Sequence, residues 1–184
     1  MKQTLIIVSG FSCTGKTTLA NKIGNYFSLP VFGRDDFKES LFDSLGYSDR
    51  EWSKKLGCAS YDLLYLMTEK LLSKKLSVIV ESNFKVKHDT KKLKELKEKY
   101  QCYLLQIHCY VSIPLALTRF EYRANSNQRH PGHVDKLNLE EMEFNFNQGG
   151  YEILEICDRT LKLDTTNFKC IDYEAIFNEV ENYL

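Results

Sequence analysis

The sequence predicts a single α/β domain in which a five-stranded parallel sheet carries helices on both faces. Short apolar runs of strand length alternate along the chain with longer segments whose apolar residues recur at helical spacing. Such alternation favours a parallel sheet, because the helices supply the crossovers between neighbouring strands. The 184 residues contain no low-complexity tract or linker, so we expect one domain over 1–184.

The first half of the chain predicts three strands and the helices between them. The strands are 4–9, 30–33 and 77–81, and the helices are 15–27, 37–45 and 59–74. Apolar side chains at helical spacing support the first helix, and Gly46 ends the second. Ser48 is expected to cap a further helix, because Glu51 stands three residues later as in a capping box.

The second half predicts two more strands, 102–111 and 160–164, and helices over 85–99, 113–124, 137–147 and 172–183. The run 102–111 is apolar almost throughout, which suits a strand covered on both faces. Pro114 falls in the first turn of its helix, where proline is tolerated. The polar run 125–133 is typical of a mobile loop.

The charge balance limits the class of partner. Lys and Arg together number 25, as do Asp and Glu, so the formal net charge is zero and an extended nucleic-acid footprint is disfavoured. The lysine-rich stretch 85–99 could contact a polyanion, but its interleaved acids favour a solvated helix face.

Cysteine spacing and hydropathy indicate the compartment. None of the six cysteines forms a Cys-x-x-Cys pair, so neither a zinc site nor a dithiol redox site is predicted. No signal peptide precedes the first strand, and no apolar stretch approaches the length of a membrane span. We therefore expect a cytoplasmic protein with reduced thiols and no membrane partner.

The most informative stretch follows the first strand. Residues 10–17 read Gly-Phe-Ser-Cys-Thr-Gly-Lys-Thr, which is the phosphate-binding P-loop pattern Gly-x-x-x-x-Gly-Lys-Thr between a strand and a helix. Gly10 and Gly15 let the backbone turn its N–H groups inward toward an anion. Lys16 would reach the β- and γ-phosphates of a nucleotide, and the Thr17 hydroxyl would bind Mg²⁺. The predicted nucleotide contacts on this stretch are Gly10, Ser12, Cys13, Thr14, Gly15, Lys16, Thr17 and Thr18.

Acids follow two other predicted strands. Asp35 and Asp36 come after 30–33, and Glu81 ends 77–81. The carboxyl ends of parallel strands share one edge of a sheet, where ligands of such folds bind. Either aspartate could instead cap the helix that follows, and one residue can cap while the other binds substrate.

Absent motifs narrow the class of P-loop protein. The chain lacks the Asn-Lys-x-Asp guanine reader of small GTPases and the Ser-Gly-Gly-Gln signature of transport ATPases. A compact phosphotransferase layout remains, with a lid at about 119–133 that carries arginines.

These stretches resemble the P-loop kinases of the zeta-toxin-like or AAA_33 group, which includes relatives of 5′-polynucleotide kinase and chloramphenicol phosphotransferase. The resemblance rests on the P-loop and on the stretches 34–38, 78–83, 119–123 and 129–133. It implies that Asp35 accepts the proton of an attacking hydroxyl, although the sequence leaves Asp36 open for this role. It also implies a carboxylate near Mg²⁺ at Glu81 and an acceptor contact at Asn83.

The same resemblance assigns roles to the lid and to the last strand. Arg119 would stack near adenine, Arg123 would meet the transferring phosphate, and Thr165 would border the adenine. Arg129 could act as a further clamp on developing charge. The remaining predicted substrate contacts are Arg34, Asp36 and Lys38. Polynucleotide kinase has an arginine where Lys38 stands, and lysine offers a point charge rather than a bidentate fork.

The sequence therefore predicts an ATP- and Mg²⁺-dependent kinase for a small-molecule hydroxyl acceptor. Two alternatives stay open, a 5′-polynucleotide kinase that takes a nucleic-acid end and a regulatory ATP-binding module that transfers no phosphate. The pair His130 and His133 could bind a metal, but it lacks a third ligand in the sequence and fits a turn that contacts substrate or solvent.

Overall fold

The computed structural model describes residues 3–126, 129–135, 139–149 and 152–184. Within these ranges five parallel strands form one sheet in the order β2–β3–β1–β4–β5, which confirms the predicted architecture. The strands are β1 (Thr4–Gly10), β2 (Val31–Gly33), β3 (Val78–Glu81), β4 (Tyr103–Tyr110) and β5 (Arg159–Asp164). The helices are α1 (Lys16–Phe27), α2 (Arg34–Leu45), α3 (Arg50–Leu72), α4 (Val86–Tyr100), α5 (Ile113–Asn125), α6 (Leu139–Gln148) and α7 (Tyr173–Glu181). Pro131–His133 and Phe168–Cys170 are short 3₁₀ turns.

Strand β1 lies at the centre of the sheet, paired with β3 on one side and β4 on the other. Its residues are buried throughout and alternate between two cores. Leu5 and Ile7 pack in the core that α3 and α4 cover, whereas Ile6 and Val8 pack in the core that α1 and α7 cover. The continuous apolar character of β1 follows from this burial on both faces.

Helix α2 begins at Arg34, three residues before the predicted start at 37. The Asp36 carboxylate accepts a hydrogen bond from the Gly33 N–H (3.1 Å), so the first turn forms directly at the end of β2.

Helix α3 corrects two sequence-based expectations. It is one continuous helix over Arg50–Leu72, so the segment 59–74 is its second half. Its N-cap is Asp49 and not Ser48, because the Asp49 carboxylate accepts the Trp52 N–H at 2.8 Å.

The described part of the polar run 125–133 is packed rather than loose. Gly132 and His133 are buried against α2, which contradicts the expected mobile loop for these residues. Positions 127–128 of the run lie outside the described residues, as do the first two positions of the predicted helix 137–147. None of the described helices has the length and apolar character needed to cross a membrane.

Candidate active site

The carboxyl ends of β1, β2 and β3 open into a cleft of about 1220 Å³, which we term the central cleft. Strand order places β3 between β1 and β2, and the register aligns Glu81 with Val8 on one side and with Gly33 on the other. The P-loop, the start of α2 and the end of β3 therefore meet at one edge, although they are far apart in sequence. Two further walls come from one face of α3 and from residues of α5 and α6.

The P-loop has the backbone expected of an anion cradle. Gly10 and Gly15 adopt φ values of 131° and 79°, and Cys13 adopts a left-handed φ of 63°. A Cβ at Gly10 would overlap the Cys109 carbonyl oxygen, so this position requires glycine. The loop residues that line the cleft are Ser12, Cys13, Gly15, Lys16, Thr17 and Thr18. Gly10 and Thr14 do not line the cleft, and the Thr14 hydroxyl instead donates to the Phe11 carbonyl.

Lys16 and Thr17 point toward Glu81 at the base of the cleft. Lys16 Nζ donates to the Phe11 carbonyl (2.7 Å) and lies 3.8 Å from the Glu81 carboxylate. The Thr17 hydroxyl donates to Glu81 at 2.9 Å. Burial raises the pKa of Glu81, although the charge of Lys16 opposes that effect. A hydroxyl and a carboxylate this close offer two hard oxygen ligands, so the pair fits the few protein ligands that Mg²⁺ takes beside nucleotide phosphates.

Asp35 lies in the central cleft between two arginines. Arg34 donates to one carboxylate oxygen of Asp35, and Arg129 Nη2 donates to the other at 2.8 Å. Burial alone would raise the pKa of Asp35, but the charges of Arg34 and Arg129 outweigh it and hold that pKa well below its usual range. Asp35 is therefore a fixed carboxylate.

The sequence left Asp36 open as the base and assigned it to the substrate, and its placement supports neither role. Its carboxylate caps α2 through the Gly33 N–H, and Asp36 is not among the residues that line the cleft. The two neighbouring acids therefore divide the tasks as the sequence allowed, with Asp36 capping the helix and Asp35 facing the cleft.

Arg123 and Arg129 converge on the cleft from α5 and from the segment that follows it. Both contact Asp135, at 3.3 Å and 3.4 Å respectively. Among the described residues, the Nε of Arg123 is buried without a hydrogen-bond acceptor, whereas the Nε of Arg129 faces the Asp135 carboxylate at 3.4 Å without forming a hydrogen bond to it. Buried donors of this kind are costly unless a ligand completes them.

Residues 129–133 dock onto α2 through polar pairs and close packing. His133 Nε2 lies 2.9 Å from Glu39, and His130 Nε2 lies 3.1 Å from Asp43. A Cβ at Gly132 would lie 2.6 Å from the Phe42 ring, so glycine is needed for this approach. The two histidines contact carboxylates of α2, and no group of three or more metal-binding side chains occurs among the described residues. A metal site at the histidine pair is therefore not supported.

Arg119 lies beside the P-loop and the loop after β5. Its guanidinium stacks over the Phe168 ring at 4.2 Å and donates to the Thr165 carbonyl at 2.9 Å. The Thr165 hydroxyl instead donates to the Tyr110 carbonyl, and Thr165 does not line the cleft. Phe168 does line it and packs against Gly15, so it is a better candidate for a base contact than Thr165. The sequence offered no signal for Phe168 beyond an aromatic residue after the last strand.

Asn83 joins the P-loop to α3. Its side-chain amide donates to the Ser12 hydroxyl (3.0 Å), and its backbone carbonyl accepts from the Tyr61 hydroxyl (3.3 Å). Tyr61 and Tyr65 stack on each other and form an aromatic wall of the cleft. The wall of α3 was missed by sequence reasoning, although the spacing of Tyr61 and Tyr65 by four residues does place both on one helix face.

The remaining predicted substrate residues, Arg34 and Lys38, also line the cleft. The Arg34 guanidinium lies 5.3 Å from the centre of the Tyr61 ring. Lys38 is 4% exposed and donates to the Ser53 hydroxyl of α3 at 2.9 Å. Burial and the charge of Arg34 lower the pKa of Lys38 to about 8.

Comparisons with known proteins agree with the fold and the P-loop. A model of the AAA domain family, AAA_33, matches residues 5–148. The crystal structure of a candidate kinase from Chloroflexus aurantiacus is 35% identical, with full coverage of both chains and a TM-score of 0.89. No curated protein matches the chain.

Two more distant structures share the fold alone. Kti12 from Chaetomium thermophilum, solved in complex with ADP-AlF3, is 18% identical over 97% of this chain and 98% of that chain, with a TM-score of 0.69. A gluconokinase from Sinorhizobium meliloti is 18% identical over 96% of this chain and 88% of that chain, with a TM-score of 0.53. The chain thus has a kinase-like P-loop NTPase fold, and its closer grouping with zeta-toxin-like or polynucleotide kinases stays a prediction.

Proposed function

The chain belongs to the AAA domain family, and from that premise we propose that it is an ATP-dependent phosphotransferase. Its reaction moves the γ-phosphate of ATP to the hydroxyl group of a small molecule bound in the central cleft. One observation carries the proposal: Asp35 faces the same cleft as Lys16 and Thr17, so an acceptor and a nucleotide would meet there.

The P-loop would hold the triphosphate. Its backbone N–H groups, together with the N-terminus of α1, bind phosphate oxygens. Lys16 exchanges its contact with the Phe11 carbonyl for the β- and γ-phosphates. Thr17 and Glu81 would hold Mg²⁺, which neutralises charge on the phosphates when bound. The base of the nucleotide would lie near Arg119 and Phe168.

Asp35 would orient the acceptor hydroxyl toward the γ-phosphate. In the transfer step the acceptor oxygen bonds to the γ-phosphorus while the bond from that phosphorus to the bridging oxygen breaks, so ADP leaves. Asp35 takes the hydroxyl proton as the new bond forms and then releases it to water. Because the pKa of Asp35 lies well below its usual range, we expect orientation to be its larger contribution.

Arg123 and Arg129 would stabilise the phosphoryl group during its transfer from ATP to the acceptor. In the described part of the chain the buried Nε–H of Arg123 has no hydrogen-bond acceptor and that of Arg129 has only the distant Asp135 carboxylate at 3.4 Å, and the transferring oxygens would supply one. Arg129 and His133 line the cleft beside Asp35 and would limit the access of water to the phosphate.

The proposal is tested by an acceptor screen with γ-labelled ATP, which includes small alcohols and, as the alternative acceptor, a 5′-hydroxyl oligonucleotide. We expect label in a small alcohol, loss of nucleotide binding in Lys16→Ala, and normal ATP binding with at least a hundredfold lower transfer in Asp35→Asn. Transfer by Asp35→Asn at the parental rate would remove Asp35 from the mechanism. Label in the oligonucleotide alone would establish a polynucleotide kinase, and ATP binding with no transfer to any acceptor would favour a regulatory module.

A further inference from the structure

A group of cations lines the wall of the central cleft formed by α3. Arg50 and Lys54 are four residues apart on this helix, so both project from the face that lines the cleft. Lys38 reaches the same face from α2, where its ammonium bonds to Ser53 and lies 3.7 Å from the position that a Cβ of Gly57 would take. These three side chains are termed the α3 cation group below.

Among the described residues Lys38 forms no ion pair within 4 Å, although it is only 4% exposed. Its one hydrogen bond there is to a neutral hydroxyl, that of Ser53. A buried ammonium without a paired carboxylate is costly, and the charges of Arg34 and Arg50 add repulsion to the cost of burial. The charge of Asp35 offsets only part of this, so the cleft keeps an excess of positive charge at this point.

Arg50 and Lys54 do have a partner, and it comes from α6. Glu141 accepts two hydrogen bonds from Arg50 (2.8 Å and 2.9 Å) and lies 3.1 Å from Lys54. The hydrogen bonds from Arg50 lower the pKa of Glu141 to about 2, so it is a carboxylate at any working pH. One third of the Glu141 side chain is exposed, so an incoming anion can replace it.

We infer that the α3 cation group binds an anionic oxo-acid group of the acceptor, a carboxylate or a phosphate, and that Glu141 occupies this position until the acceptor arrives. Arg50 and Lys54 already bind one carboxylate of this chain, that of Glu141, so the same position suits an oxo-acid group of a ligand. The neighbouring ammonium of Lys38 supplies charge for a second oxygen. This inference deepens the proposed function and rests on it for the role of the ligand as acceptor.

The geometry also limits the size of the acceptor. Asp35 and Lys38 lie three residues apart on α2, which is slightly less than one turn, or about 4.5 Å along the axis. An acceptor whose hydroxyl meets Asp35 and whose acid group meets Lys38 has the two groups separated by a few bonds. Hydroxy acids and sugar phosphates have this form.

The first test measures anion binding without turnover. The enzyme is saturated with Mg²⁺ and a non-hydrolysable ATP analogue, so the P-loop is filled, and is titrated calorimetrically with inorganic phosphate and, separately, with D-glycerate. We expect saturable binding of at least one probe, at least tenfold weaker in Arg50→Gln/Lys54→Gln and at least threefold tighter in Glu141→Gln. Lys55→Gln is the matched control, because Lys55 lies on the same helix but pairs with exposed Glu51 at 3.1 Å.

The outcomes of the titration are decisive. If neither the parent nor Glu141→Gln binds a probe, or if the double variant binds as tightly as the parent while its circular dichroism is native, the inference is wrong. Phosphate binding without glycerate binding would assign the site to phosphates, and the reverse to carboxylates.

The second test measures turnover with matched acceptors, namely glycerol, D-glycerate and glycerol 3-phosphate, and then glucose, gluconate and glucose 6-phosphate. We expect an acid member to exceed its neutral parent at least tenfold in kcat/KM, and the double variant to lose this preference through KM. Equal use of neutral and acid members would overturn the inference and leave the proposed function intact. Saturable anion binding with no alcohol phosphorylated would refute the proposed function and leave the anion site standing.

Discussion

Arg129 Nη2 lies 2.8 Å from an Asp35 carboxylate oxygen, although the two residues are 94 positions apart in the chain. Asp35 stands at the start of α2, and Arg129 belongs to the segment 129–133 that packs on α2. The carboxylate that would orient an acceptor is thus held in place by a segment distant in sequence. Arg34 fixes the other oxygen, so the rotation of the carboxylate is restricted from both sides.

Replacement of Arg129 by Gln is expected to lower kcat at least tenfold and leave ATP affinity within threefold of the parent. The change removes a positive charge from Asp35, so its pKa rises and the acid limb of the pH–rate profile moves to higher pH. In steady-state kinetics from pH 4 to 8 the parent should show no acid limb from Asp35, because its pKa lies well below the usual range, and the limb should approach this window in the variant. Arg159→Gln is the control, since Arg159 is an arginine that pairs with Glu179 away from the cleft. An unchanged acid limb would show that Arg129 does not act on Asp35.

The lowered pKa of Lys38 makes the free energy of unfolding depend on pH, and the direction of that dependence follows from the pKa shift. The pKa of Lys38 is about 8 in the folded protein and about 10.4 in an unfolded chain. Between these values the unfolded chain binds more protons, so the free energy of unfolding rises with pH. From pH 7.5 to 9.5 we expect the parent to gain about 2 kcal/mol relative to Lys38→Met, measured by urea denaturation.

The Lys38→Met comparison removes the contributions of other titrating groups, because these are shared by the two proteins. The charges that act on Lys38 are those of Arg34, Asp35, Arg50 and Arg129, and both proteins contain them. Parallel pH dependences in the two proteins would mean that the Lys38 pKa is not lowered.

Ser48 and Asp49 are neighbours, but only Asp49 caps α3, so the two residues should differ in their effect on stability. Asp49→Ala should cost about 1 kcal/mol of unfolding free energy, because the Trp52 N–H loses its acceptor. Ser48→Ala should change stability by less than about 0.5 kcal/mol, since Ser48 does not cap this helix. Denaturant titrations of the two variants measure the difference. A larger loss in Ser48→Ala than in Asp49→Ala would restore the cap predicted from the sequence.

Gly132→Ala is expected to loosen residues 129–133 from α2. The added methyl would overlap the Phe42 ring, so the segment must shift, with a stability loss of about 1–3 kcal/mol. Because Arg129 shifts with it, kcat should fall at least tenfold. Phe42→Leu in the same molecule makes room for the methyl and should recover part of the loss, which a double-mutant cycle detects. Strictly additive effects would show that Gly132 and Phe42 do not determine the docking.

The parts of this fold that the sequence predicted are those fixed by local chemistry. The P-loop depends on consecutive backbone turns at Gly10 and Gly15, and the strands depend on runs of apolar residues, so both can be read within a short window. Strand ends bearing Asp35 and Glu81 follow from the rule that the carboxyl ends of parallel strands share one edge.

The parts that the sequence missed depend on contacts between distant segments. Asp35 and Asp36 are adjacent acids, and only the path of the chain after β2 decides that Asp36 caps the helix. Arg50 and Glu141 are 91 positions apart, so no local pattern identifies their pairing across the cleft. The sequence predicted a mobile loop over 125–133 because the partners of His130 and His133 on α2 lie more than 80 positions earlier in the sequence.

Asp35, Glu39 and Asp43 recur every fourth residue along α2, and Arg129, His133 and His130 meet them in turn. Because the three acids lie on one helix, their spacing is fixed. The three contacts therefore form together, in a single alignment of residues 129–133 with α2. Separation of residues 129–133 from α2 would break all three contacts together and leave Asp35 with the hydrogen bonds from Arg34. Helix α2 thereby links the orientation of the acid that faces the acceptor to the docking of residues 129–133.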